Sequence, residues 1–192
     1  NHLMGKPFDQ AGLLELVAAL EGHPDNAAPA VHGGLAVSGK VANGIAVIHR
    51  KLPSTLKFVA VIPDFEVQTS AARRLLPGSV PFSDAVHNVN RVALLVAALW
   101  SGQYREIGNF LDDRLHQPPR ARLVPQLFPA LNAAKQAGAI GGWLSGSGST
   151  VMALSLDNAA EVGLALRKVF EKGGVSCSVR VMRVDNDGFC CQ

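Results

Sequence analysis

Charge is sparse in this 192-residue chain: only 17% of residues are Asp, Glu, Lys or Arg, and the 18 basic and 15 acidic side chains leave a formal net charge of +3. The basic residues are scattered, as in Arg73–Arg74, Arg120/Arg122 and Arg180/Arg183, so the sequence lacks the basic stripe of a nucleic-acid binder. It also lacks a long apolar run. Val92 to Trp100 is about half of the roughly 20 residues needed to cross a bilayer, and no charged segment precedes an apolar leader. Nucleic-acid and membrane partners are therefore not expected. Cysteine is scarce as well: Cys177, Cys190 and Cys191 are an odd set without the paired spacing of a zinc site or a disulfide scaffold, which fits a reducing cytoplasm. No segment is low in complexity, and 19 glycines and 11 prolines are ordinary usage, which sets aside disordered, collagen-like and coiled-coil classes. An initiator methionine is missing at Asn1, and the expectation is a processed or truncated start.

What is present is 48% hydrophobic and patterned. Leu13, Leu14, Leu16, Val17 and Leu20 recur at helical spacing behind Asp9, an N-cap residue type, predicting a helix over 9–21. A turn at 22–26 and a second helical stretch from Ala27 to Val31 follow. Residues 35–38 and 45–49 read as a hairpin with Asn43-Gly44 as its turn pair. Pro53-Ser54 marks the boundary, so domains are expected at 1–52 and 53–192. Beyond it, Lys57–Pro63 reads as a buried strand, and helices are expected over 83–101, 104–115, 123–137 and 158–172. The first of these carries Val89, Val92, Ala93, Val96 and Leu99 on one face. Strands are expected over 140–144, 150–156 and 176–184. Without the extra helices the order is strand, helix, strand, strand, helix, strand. That is an α+β, split β-α-β (ferredoxin-like) domain. Residues 1 to about 50 are too few for an independent core.

Three constellations could carry chemistry. Glu21-Gly22-His23-Pro24-Asp25-Asn26 gathers two carboxylates, an imidazole and an amide; it suits a hard cation and a polar substrate, or simply the backbone needs of a turn. Arg91 stands in a very apolar helix and Arg120 follows Pro118-Pro119. Such arginines hold a carboxylate or phosphate bidentately, or form surface ion pairs. Ser145-Gly146-Ser147-Gly148-Ser149 lies between two strands and suits either an anion cradle or a plain glycine-rich hairpin; it has no Walker lysine.

In order, these blocks resemble the homoserine kinases of the GHMP small-molecule kinase superfamily. The resemblance runs through Glu21 to Asn26 with Ala27-Ala28-Pro29-Ala30 and Gly33-Gly34, then Thr69, Ala72-Arg73 and Leu76-Pro77. It continues through Asn88-Val89-Asn90-Arg91, Leu115-His116-Gln117-Pro118 with Arg120, and Leu144 to Ser149. It implies an enzyme that phosphorylates the hydroxyl of L-homoserine from ATP and Mg²⁺ on the route to threonine. By that resemblance His23, Asp25, Asn26, Arg91 and Arg120 bind substrate, with the arginines toward its carboxylate. Asp25 is the candidate catalytic residue, with general-base and transition-state-stabilising roles both open. Glu21 corresponds to the Mg²⁺ ligand, and Gly146, Ser147, Gly148 and Ser149 to the third family motif near the phosphates. The resemblance also allows a homodimer. Ser147, Ser149 and Pro119 depart from the usual Ala, Pro and Tyr. The Gly-Leu-Gly-Ser-Ser phosphate segment of the superfamily does not occur in these 192 residues. The chain is thus expected to comprise the remainder of an ATP-binding domain and a complete C-terminal domain, and to be inactive alone. Another kinase of the superfamily and a non-catalytic amino-acid-binding module are the alternatives.

Overall fold

A computed structural model describes residue 5 and residues 7–190; Asn1 and Cys191 lie outside the described residues. The chain divides into two compact units, one formed by Asn1–Ser54 with Arg183–Gln192 and the other by Thr55–Met182.

In the first unit, helix α1 (Gln10–Glu21) starts as its sequence predicts, with the Asp9 side chain accepting the Gly12 N–H at the N-cap. It ends at Gly22, whose φ of 86° is a left-handed C-cap. Helix α2 (Pro24–His32) begins earlier than expected because Pro24 sits at its first position, where a missing N–H costs nothing. Strands β1 (Leu35–Val41) and β2 (Gly44–Arg50) form an antiparallel hairpin. Val41 pairs with Gly44, so the turn residues are Ala42 and Asn43, one position before the expected Asn-Gly pair. The core is small: Leu14, Ala18, Ala27, Ala28 and Val31.

The unit is completed by residues from the far end of the chain, which the pattern of strands had placed in the second domain. The Asn186 carboxamide accepts from Leu52 N–H at 2.9 Å and donates to the Leu52 carbonyl at 2.8 Å. Gly34 N–H reaches the Asp185 carbonyl and Phe189 N–H the Ala30 carbonyl. Those reciprocal bonds satisfy backbone groups that a loop would otherwise leave open, and they explain why the tail groups with the first 54 residues.

The second unit has strands β3 (Lys57–Pro63), β4 (Gly141–Leu144), β5 (Val151–Ser155) and β6 (Cys177–Met182) in the spatial order β4-β5-β3-β6, with every neighbour antiparallel. This is the split β-α-β sheet. Helices α6 (Leu127–Gln136) and α7 (Ala159–Lys172) cover the side chains of Val59, Val61, Leu144, Val151 and Ala153 with Leu127, Ala130, Val162, Leu166 and Phe170. Helix α6 starts later than expected, after Val124-Pro125, because a residue before proline avoids the helical region. Two short helices were not anticipated, α3 (Thr69–Arg74) and α5 (Gln117–Arg120).

Helix α4 (Phe82–Ser101) is as long as expected, but Val89 and Val92 are 71% and 57% exposed and only Ala98 is fully buried. Its polar edge turns inward instead, for reasons given below. The helix expected over 104–115 is a 3₁₀ segment, Tyr104–Phe110, followed by irregular chain. A Cβ at Gly108 would run into the Ile140 carbonyl, and the Asp112 carbonyl and the Leu115 N–H are drawn into hydrogen bonds with the His87 and Asp113 side chains that compete with helix.

Candidate functional site

Within the first unit, Glu21 is the exposed last residue of α1, and the turn made by Gly22 passes directly into α2. His23 occupies the N-cap position of α2 in extended conformation, and Asp25 and Asn26 lie exposed in the first helical turn. A carboxylate there is favoured by the unpaired N–H groups of a helix start. Asp25 Oδ1 accepts the Asn26 N–H at 3.0 Å, and the same carboxylate contacts the His23 ring. Two residues absent from the sequence reading hold this turn to β1: Ser38 Oγ donates to the Pro24 carbonyl at 3.2 Å, and Lys40 Nζ to the Gly22 carbonyl at 3.4 Å. Among the described residues no group of three or more His, Cys, Asp or Glu could hold a metal ion.

Within the second unit, Arg91 is half-buried on α4, and Arg120 is the half-buried last residue of α5. The Nε of each is buried and has no hydrogen-bond partner. A buried N–H without an acceptor is costly, more so on a charged group. Arg120 also donates through Nη1 to the Gly146 carbonyl at 2.7 Å, which ties it to the loop between β4 and β5.

That loop is a hairpin with left-handed glycines, φ 55° at Gly146 and 90° at Gly148. It closes through Ser145 N–H to the Thr150 carbonyl and Gly148 N–H to the Ser145 carbonyl. Ser149, buried, donates from Oγ to the Phe65 carbonyl at 2.6 Å, and Ser147 Oγ lies 3.4 Å from Thr69 Oγ1. The third-motif serines thus bind the segment after β3 and the start of α3.

The sequence reading missed Asp113. Its Oδ1 accepts from Asn88 Nδ2 at 2.6 Å and Leu115 N–H at 3.0 Å, and its Oδ2 from the N–H groups of His116 and Gln117. Burial opposes charge on this carboxyl. The bonds from the Gln117 backbone, the Asn88 amide and the Leu115 backbone, with the nearby His116, outweigh that effect and hold its pKa below the usual carboxylate value. Buried Gln117 in turn accepts the Leu144 N–H through Oε1 at 2.8 Å. The signal in the sequence was an Asp three residues before the His116 N-cap of a short Pro-Pro helix, a residue type that accepts nearby backbone N–H groups. Cys177 is half-buried and its thiol is pushed up by burial and by Glu171, with Arg167 opposing, which disfavours a reactive thiolate.

Residues 94–172 match the family model described as GHMP kinases C terminal. That stretch is similar to the GHMP-kinase C-terminal domain. Among curated proteins it is 40% identical over 188 residues to the homoserine kinase of Moorella thermoacetica, covering 98% of this chain and 64% of that protein. It is also 40% identical to the homoserine kinase of Carboxydothermus hydrogenoformans, with 98% and 61% covered. The chain therefore spans less than two thirds of these relatives. Among solved structures, a homoserine kinase from Cytophaga hutchinsonii superimposes with a TM-score of 0.89 at 32% identity, covering 98% of this chain and 62% of that one. A galactokinase from Lactococcus lactis, TM-score 0.64 at 16% identity, shares the fold. Among the described residues no helix is long and apolar enough to cross a membrane.

Proposed function

We propose that this chain supplies amino-acid recognition to an ATP-dependent homoserine kinase, which transfers the terminal phosphoryl group of ATP to the hydroxyl of L-homoserine in threonine biosynthesis. The observation that supports it most is the pair of buried, unpartnered Nε groups on Arg91 and Arg120. A guanidinium fork answers a planar anion, and homoserine presents a carboxylate where a neutral sugar such as galactose presents none. The names of the relatives point the same way.

His23, Asp25 and Asn26 are assigned to substrate by the motif they share with the family, with Asp25 as the catalytic candidate. Glu21 fits Mg²⁺ as a single exposed carboxylate, because Mg²⁺ commonly keeps waters and takes further ligands from phosphates. Bound with ATP, the ion would neutralise charge on the transferred group. Gly146 to Ser149 are assigned to the phosphate side of the reaction.

Calorimetry on the 192-residue chain tests the reading. L-homoserine should bind in preference to mevalonate and galactose, and Arg91→Ala or Arg120→Ala should each weaken it by about tenfold or more, the worth of a hydrogen bond to a charged group. Preference for mevalonate would move the assignment to another GHMP kinase. Threonine binding untouched by Arg91→Ala would favour a regulatory amino-acid-binding module. In a coupled ADP-release assay the chain alone should show no homoserine-dependent turnover.

A further inference from the structure

The polar edge of α4 is bound along its length to residues 112–114. Asp84 Oδ1 receives Arg114 Nη1 at 3.2 Å, the His87 ring lies 3.1 Å from both the carbonyl and the carboxylate of Asp112, and Asn88 is engaged at both ends. Asn88 Nδ2 donates to Asp113 and its Oδ1 accepts the Arg114 N–H at 2.9 Å. Arg91 is the next residue along that edge, one turn past Asn88. Asp113 meanwhile accepts the N–H of His116, the N-cap of α5, and of Gln117, its first residue; Arg120 is its last, while Gln117 anchors the end of β4 and Arg120 anchors the following loop at Gly146. One carboxylate thus joins the helix bearing one arginine, the short helix bearing the other, and through them the glycine-serine hairpin.

We propose that Asp113 is a positioning residue that sets Arg91, Arg120 and the Gly146–Ser149 loop in register, so that both guanidinium groups meet the same carboxylate-bearing ligand. A four-residue helix cannot hold its own geometry, since helix nucleation is unfavourable; with prolines at 118 and 119, the N–H groups left to find outside acceptors at its start are those of His116 and Gln117. Asp113 supplies those acceptors, and the Asn88 clamp carries the same constraint to α4. The functional consequence rests on the carboxylate-binding reading above; the geometric claim does not.

The test is run on the 192-residue chain with Asp113→Asn and Asp113→Ala, and with Asn88→Ala, which breaks the clamp but leaves the α5 acceptor in place. The first readout needs no ligand: the Nε–Hε NMR resonances of Arg91 and Arg120. Asp113→Ala should shift or broaden both, Asp113→Asn less, and Asn88→Ala mainly that of Arg91. Both resonances unmoved in folded Asp113→Ala would overturn the proposal. The second readout is affinity for L-homoserine against L-homoserinamide, which lacks the carboxylate. Asp113→Ala should weaken homoserine about tenfold and leave the amide within twofold, whereas equal loss of both would reduce Asp113 to a merely structural acceptor. If Asp113→Ala does not fold, Asp113→Asn and Asn88→Ala carry the same comparisons. Shifted arginine resonances in a chain whose wild type does not bind homoserine would leave the positioning intact and refute the proposed substrate.

Discussion

The two units solve the same problem with different materials. The second buries a dense core that includes Phe170, Leu127, Leu166 and five valines against one sheet face, and its arginines hang on a hydrogen-bonded frame centred on Asp113. The first has a core of one leucine, one valine and three alanines, and stays together partly because residues 185–189 return to bond its backbone. Both Trp residues, Trp100 and Trp143, lie in the second unit. Rigidity for recognition therefore comes from packing in one unit and from backbone pairing in the other.

The contrast can be broken most severely at Phe170. It is fully buried, and Phe170→Ala should cost about 3–5 kcal/mol through lost transfer energy and a residual cavity, read as a lower urea midpoint in Trp fluorescence. In the first unit the corresponding weak point is backbone rather than side chain. At Gly33, with φ 71°, a Cβ would lie 2.5 Å from the Asn186 carbonyl carbon, so Gly33→Ala should cost at least about 1–2 kcal/mol and release the tail. Faster amide exchange at Gly34 and Phe189, with unchanged Trp fluorescence, would check it. Asp9→Ala removes the α1 cap and should cost about 1 kcal/mol, seen in far-ultraviolet dichroism and again not in Trp fluorescence.

The smallest effect concerns acid. The Asp113 carboxyl titrates below its unfolded value, so the stability it contributes is complete above that value and is lost as pH falls through its folded pKa. Asp113→Asn should flatten the acid limb of the second unit's stability. An unchanged slope would show that the carboxylate's bonds do not stabilise the folded state.

Much of this was legible in the sequence, and the failures are specific. Strands of buried type, such as Lys57–Pro63, and helices bounded by Asp9 and Gly22 follow from local pattern, because burial period and capping are encoded within a few residues. The hairpin slipped by one residue, since the register is set by strand pairing and not by the turn dipeptide alone. The 104–115 stretch was misread because Asp113 accepts the Leu115 N–H and the Asn88 amide, and Asp112 meets the His87 ring, in place of a helical pattern. Helix α4 has the valine face its spacing gives, but which edge turns inward was not written locally: Asp84, His87 and Asn88 bond to Asp112–Arg114 while Val89 and Val92 stay exposed.

The candidate site divides along the same line. His23, Asp25, Asn26, Arg91, Arg120 and the glycine-serine loop could be singled out because their residue types are chemically expensive or conformationally unusual where they stand. Asp113, Asn88 and Gln117 could not, since their value lies in partners 25 to 27 residues away in the chain. By itself, then, the sequence determined the α+β order and the chemically active residue types. Only the tertiary structure decided which unit keeps the C-terminal tail, which face of α4 turns inward and which carboxylate frames the arginines, because long-range hydrogen bonds form between groups that no local pattern relates.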